Sequence, residues 1–168
     1  MSAHRHNPRT LPARLTAVLC ALMVMAACSS APATFSLAGA TVDPAYWCPG
    51  GSNNAPYTVH ATIQARNDTA NEVTIDSATA EMILTSVSGS WLERVGDRYL
   101  AKGVVVSPST VAPRSSATLA VTIPSACTSA VYGSSRSSSG AYEVKVHLVT
   151  SAGAFSIAAS NTHEIRAA

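Results

Sequence analysis

The chain has 168 residues, of which 47% are hydrophobic, 12% charged and 5% aromatic, and it carries a formal net charge of +2. That is material for one domain, too little for a multidomain enzyme and too apolar and weakly charged for a disordered chain. The basic excess is local: Arg5, Arg9 and Arg14 precede a hydrophobic run, and from Cys28 onward eight basic side chains stand against nine acidic ones, a net of −1, so no nucleic-acid partner is expected.

Residues 1–27 have the layout of an export signal, with a basic segment up to Arg14, an apolar run from Leu15 to Ala27 and then small residues. Thirteen apolar residues fall short of the roughly 20 that a helix needs to cross about 30 Å of hydrocarbon, so a cleaved signal is expected rather than a transmembrane helix. The absence of an Arg-Arg pair favours the general secretion route. At the boundary the chain reads Met25-Ala26-Ala27-Cys28-Ser29-Ser30, which resembles the lipobox of bacterial lipoproteins, with Met25 where that family usually has Leu, Val or Ile. The resemblance implies that Cys28 is diacylated and becomes the new N-terminus, anchoring the protein on the extracytoplasmic face of the membrane. Two acyl chains, at about 0.8 kcal/mol per buried CH₂, hold far better than one. The alternative is ordinary cleavage, for instance after Ala33, and a secreted product. Arginine outnumbers lysine nine to two, and together with the wealth of Ala, Thr and Val this looks like the usage of a high-GC bacterium such as an actinomycete.

Residues 28–40 are expected to be the lipidated N-terminus and a tether, and residues 41–168 the folded domain. Within it the hydrophobic pattern has period two. Tyr57, Val59, Ala61, Ile63 and Ala65 alternate with polar residues and predict a half-buried strand, broken by an Asn67-Asp68-Thr69-Ala70-Asn71 turn. From Glu72 to Val87 the apolar parity changes, which predicts either one strand with a bulge near Asp76-Ser77 or two strands. A β-branched run at Gly103–Val106 follows, ended by Ser107-Pro108-Ser109. Ala117, Leu119, Val121 and Ile123 then alternate until Pro124 is expected to stop them. Ser125 to Gly140 reads as a long exposed loop. Tyr142, Val144, Val146 and Leu148 predict a further strand, paired through Ser151-Ala152-Gly153 with Phe155 and Ile157 in a C-terminal hairpin.

Cys20 falls in the apolar run and Cys28 at the lipobox, leaving Cys48 and Cys127 as a pair in the domain. An even pair in an exported chain predicts a disulfide. Closing a loop of about 80 residues contributes roughly 4 kcal/mol by the chain-entropy model. Neither cysteine lies in a Cys-x-x-Cys or near a histidine, so neither a metal nor any other cofactor is expected.

Short strands separated by turns point to an all-β chain, an antiparallel β-sandwich of about seven strands. Two segments resemble bacterial immunoglobulin-like modules. Pro113-Arg114-Ser115-Ser116-Ala117-Thr118-Leu119-Ala120-Val121 is similar to their loop into a mid-domain strand. Gly140-Ala141-Tyr142-Glu143-Val144 is similar to the tyrosine corner at their penultimate strand, with Val144 where antibody domains place a cysteine. The resemblance implies an immunoglobulin-like fold and a Tyr142 hydroxyl bonded to backbone. Cys127 precedes Tyr142 by 15 residues, so the bridge departs from the usual inter-sheet one and is expected to pin loops at one end.

No Gly-x-Ser-x-Gly, Gly-x-Gly-x-x-Gly, phosphate loop or His-Glu-x-x-His occurs, so no enzyme is expected. The hairpin register places His147 opposite Ser156 and His163 opposite Gly140, more than roughly 20 Å apart. With His60 on another strand, all three read as exposed strand histidines and none as a metal ligand. The most suggestive cluster is Trp91, Leu92, Arg94, Arg98 and Tyr99, in a segment with five charges between residues 93 and 102. Aromatic anchors and arginine among charges suit a partner-binding loop; the other reading, favoured here, has Trp91 and Leu92 plugging one end of the sandwich while the charges face water. The functional expectation is a cell-surface-anchored lipoprotein whose immunoglobulin-like domain is a non-catalytic binding or structural module. Its partners would be the membrane, through the lipid, and an envelope protein or glycan. The alternatives are an extracytoplasmic small-ligand or metal carrier and a small secreted hydrolase.

Overall fold

The computed structural model describes residues 33–127 and 138–167; the leader, Cys28 and most of the Ser125–Gly140 segment lie outside them. Among the described residues there are eleven strands and no helix: β1 (Phe35–Val42), β2 (Ala45–Cys48), β3 (Ala55–Asn67), β4 (Val73–Ser88), β5 (Arg98–Ala101), β6 (Val105–Ser107), β7 (Thr110–Val111), β8 (Ser115–Cys127), β9 (Ser139–Thr150), β10 (Gly153–Ala158) and β11 (His163–Ala167). One sheet has the order β1-β3-β8-β6. The other runs β2-β11-β9-β4-β5, with β10 on β9 and β7 on β4. This is the strand order of an immunoglobulin-like sandwich. Its first strand is divided: β1 pairs antiparallel with β3, and after a corner at Asp43-Pro44 the chain enters the opposite sheet as β2, parallel to β11.

The alternation of the sequence builds the core. Val59, Ala61, Ile63 and Ala65 of β3 and Leu119, Val121 and Ile123 of β8 face Ala80, Met82 and Leu84 of β4 and Val144, Val146 and Leu148 of β9, all of them buried. Each such Leu, Ile or Val contributes about 1.5–3 kcal/mol relative to an exposed one. The parity change after Glu72 is one strand with a register shift between Ile75 and Ser77, as the pattern allowed, and a second shift at Leu84/Ser86 extends it to Ser88.

Several expectations are corrected. The first strand begins at Phe35, so residues 35–40 belong to the sheet and not to the tether. Pro124 does not stop β8, which pairs with β3 from Ser115 to Cys127. The Pro124 carbonyl accepts from the Tyr99 hydroxyl at 3.4 Å, which directs its backbone away from β3, on a side where β6 has already ended opposite Thr122. A proline nitrogen there forfeits no ladder bond. The hairpin register holds through β10, with His147 opposite Ser156, but β11 is displaced by two residues and His163 lies opposite Tyr142, not Gly140. The intervening residues dock on β1: the Asn161 side chain exchanges two hydrogen bonds with the backbone of Val42, 3.0 and 2.8 Å, and the Ser160 amide donates to Ala40.

Asn67, fully buried at the end of β3, secures the opposite end of the molecule. Its amide donates to the carbonyls of Asn71, Val111 and Ala112 and its oxygen accepts from Thr69, tying the β3–β4 turn to the β7–β8 connection. The Cys48–Cys127 disulfide is present, with a Cα separation of 6.0 Å. It joins the end of β2 to the end of β8, hence one sheet to the other, and pins strand ends where loops were expected.

Candidate functional site

A cavity of about 220 Å³ opens between the sheets at the disulfide end. Its wall combines Ser125, Ala126 and Cys127 from β8, Met82 from β4, Tyr99 from β5, Tyr142 from β9 and Ile165 from β11 with Asn54 and with Trp91, Leu92 and Glu93 of the β4–β5 loop. That loop is held at both ends. The Ser90 amide donates to the Ser138 hydroxyl at 3.2 Å, the Arg94 amide to the Asp97 carboxylate at 2.8 Å, the Gly96 amide to the Leu84 carbonyl and the Leu84 amide to the Asp97 carbonyl.

At the centre of the wall three polar groups hold one another. The Trp91 indole N–H donates to the Tyr142 oxygen at 3.1 Å and to Glu93 Oε2 at 3.3 Å, and the Tyr142 hydroxyl donates to the same Glu93 oxygen. Burial raises the Tyr142 phenol pKa well above its ordinary value, and the bond to the Glu93 carboxylate raises it further, against the pull of the Trp91 N–H. Tyr142 thus differs from the backbone-bonded tyrosine corner that the resemblance implied. A carboxylate within reach is the stronger acceptor, because charge-assisted hydrogen bonds are roughly twice as strong as neutral ones.

Of the five side chains singled out in the sequence, the structure brings Trp91, Leu92 and Tyr99 to the cavity wall and leaves Arg94 and Arg98 outside it. Arg98 pairs with Glu81 at 2.8 Å. Trp91 is half-buried against the core, as the plug reading has it, but Leu92 is 57% exposed and plugs nothing. The sequence did not single out Glu93 for this role. Its place in the most charge-dense stretch of the chain, next to Trp91, was the available signal; its partner on β9 is 49 residues away.

A second polar cluster lies beside the first. His163 is 1% exposed, contrary to the expectation of an exposed strand histidine. It lies opposite Tyr142, on the core-facing side of the sheet with Ile165 and Ala167, where Nδ1–H donates to the Asp43 carbonyl at 2.7 Å and leaves Nε2 to accept from the Tyr57 hydroxyl at 3.2 Å. Tyr57 stacks on Tyr46 with centroids 4.1 Å apart and on the His163 ring at 5.9 Å. Burial lowers the His163 pKa, opposed by the Asp43 carbonyl. Burial also pushes the Tyr57 phenol up to about 12, against a hydrogen bond with Ser125. His60 is exposed, as expected, and bonded to the Asp43 carboxylate at 2.9 Å, whereas His147 is half-buried and bonded to the Ser156 hydroxyl at 2.7 Å. Among the described residues no three His, Cys, Asp or Glu side chains gather as a metal site would require, and no helix is long and apolar enough to cross a membrane.

No family model matches the chain, and neither does any curated protein. Among solved structures it is similar to AggA, the major subunit of aggregative adherence fimbriae type I from Escherichia coli, at 12% identity over 80% of this chain and 95% of that one, with a TM-score of 0.34. It is also similar to the putative ApaA protein from Bordetella pertussis, at 16% identity over 79% and 94% of the two chains with a TM-score of 0.37. A PapD-like domain of human CEP192 aligns at 12% identity over 100% and 96%, with a TM-score of 0.28. Likeness at this level concerns the fold alone.

Proposed function

We propose that the protein is an exported, lipid-anchored module of the bacterial cell surface that binds a partner without catalysis, through the disulfide end of its sandwich. The observation that carries this reading is the placement of the two ends. Phe35, where the first strand begins, pairs with Asn67 at one end of β3, whereas Cys127, in the cavity wall, pairs with Ala55 at the other. A strand of 13 residues puts roughly 40 Å between them at about 3.3 Å per residue. With Cys28 acylated, the chain enters the domain at the end remote from the cavity, which leaves the cavity end free to meet a partner.

That end also carries exposed apolar surface: Leu92, Val95, Tyr99 and Leu100, between 43% and 60% exposed, fall within nine residues of the β4–β5 loop and β5. β5 is the outer strand of its sheet. Nothing in the wall is arranged as a nucleophile with a base: Cys127 is in the disulfide, Ser125 is engaged with Tyr57, and Glu93 and Tyr142 bind each other. Two experiments test the reading. Lipid labelling of the wild type against Cys28→Ser must differ, and equal labelling removes the anchor. Crosslinking on intact cells must capture a partner that the double variant Leu92→Ser, Tyr99→Ser fails to capture while remaining folded; capture unchanged by that variant moves the binding surface elsewhere.

A further inference from the structure

The cavity at the disulfide end has a definite chemical character. Among the described residues its wall includes one carboxylate, Glu93, no lysine, arginine or histidine, and the three aromatic side chains of Trp91, Tyr99 and Tyr142. The carboxylate is fixed by its neighbours: the Trp91 N–H and the Tyr142 O–H both donate to Oε2, and Oε1 has no hydrogen-bond partner among the described residues. The nearest basic side chain on β5, Arg98, is turned to Glu81 at 2.8 Å and does not neutralise this site. A volume of about 220 Å³ corresponds to roughly seven waters at 30 Å³ each, which suits a short alkyl chain with a polar head and is below the range of drug-sized ligands.

We infer that the cavity takes an alkylammonium group, held by the Glu93 carboxylate and enclosed by Trp91, Tyr99 and Tyr142. An ammonium offers the N–H donors that Oε1 lacks, and aromatic side chains attract cations through the negative faces of their rings. The alkyl segment covers the apolar part of the wall, Met82, Leu92 and Ile165. The inference rests on reading this end as the binding end, and it names the chemistry recognised there: a primary amine at the end of a short chain, either free or as the lysyl side chain of a partner.

The test uses the full-length protein in the form the cell produces, in detergent micelles with its disulfide intact, and follows the Trp91 indole N–H by two-dimensional NMR. The probes are n-butylammonium and n-butanol, then a lysine capped at both ends and capped norleucine. Saturable shifts are expected with the two ammonium probes, at affinities about tenfold above those of their neutral counterparts. The tighter of the two ammonium probes tells a free amine from a lysyl side chain. Glu93→Gln keeps an oxygen to accept from Trp91 and Tyr142, so it is expected to stay folded and to lose about tenfold in ammonium affinity with no loss for n-butanol. Should Glu93→Gln unfold the domain, Tyr99→Ala, on the exposed rim, is expected to weaken ammonium binding several-fold on its own. Equal affinity for n-butanol and n-butylammonium, an unaltered affinity in a folded Glu93→Gln, or the lack of any saturable shift would each overturn the inference. If crosslinking still captures a partner in that case, the binding end stands and only its amine chemistry falls.

Discussion

The Trp91 ring lies directly over Gly140: a methyl group on that residue would come within 2.6 Å of indole Nε1 and Cε2. Gly140 is therefore required by contact and not by backbone conformation. It is what allows the loop after β4 to lay its tryptophan on β9 and reach Tyr142.

Gly140→Ala should force the indole off β9 and break its bond to Tyr142. Overpacking of this kind costs about 1–3 kcal/mol. The expected outcome is a lower urea midpoint together with a red shift of tryptophan emission, since Trp47 is already 56% exposed and Trp91 is the ring that changes environment. An unchanged spectrum would place the indole elsewhere in solution.

Asn67→Ala removes the group that serves three carbonyls and the Thr69 amide. Orphaned buried polar groups cost about 1–3 kcal/mol each, moderated here by partial access to water, so a loss of about 2–4 kcal/mol is expected in denaturant unfolding. Asn67→Asp should recover little of it, because a carboxylate cannot donate to the carbonyls of Asn71, Val111 and Ala112.

The pH dependence of stability follows from His163. Its native pKa is depressed by burial, so on acidification the unfolded chain takes up a proton at about 6.5 that the native state refuses. The unfolded state then binds more protons, and stability falls as the pH drops below about 6.5, by up to about 1.4 kcal/mol per pH unit. His163→Gln should flatten the unfolding free energy between pH 7 and 5, measured by chemical denaturation. At the alkaline end the sign reverses: the Tyr57 phenol is held up to about 12 from an unfolded value of 10, so stability should be lost as pH rises through that window, with late-titrating phenolate absorbance as the readout.

Reduction of Cys48–Cys127, 79 residues apart, should lower stability by about 4 kcal/mol while leaving both sheets folded at room temperature. Calorimetry with and without reductant measures the shift. Ammonium-probe binding should also weaken on reduction, since Cys127 forms part of the cavity wall.

What the sequence made legible was local. The alternation of β3, the bulge near Asp76, and the β9–β10 turn that sets His147 opposite Ser156 depend on neighbours along the chain, and period-two patterning reports them directly. The missed features depend on distant partners. Pro124 reads as a stop until β6 is seen to end before it. His163 reads as exposed from its residue type until its place opposite the core-facing Tyr142 and its bonds to Tyr57 and Asp43 are seen. The candidate loop was found from its aromatics and charges, but its assembly into a walled site came from β9, β8 and β11, and Arg94 and Arg98, chosen for their chemistry, fall outside.

Asn161 answers both backbone groups of Val42 with one side-chain amide, standing in for a missing strand neighbour at the point where β1 ends. The crossing from β1 to β2 and the interruption between β10 and β11 are in this way a single joint, closed by a side chain that no ladder continues past. Such a joint opens as a unit: the amides of Val42, Ser160 and Glu164, whose acceptors all sit at it, should exchange with solvent together and sooner than those of β3 and β8.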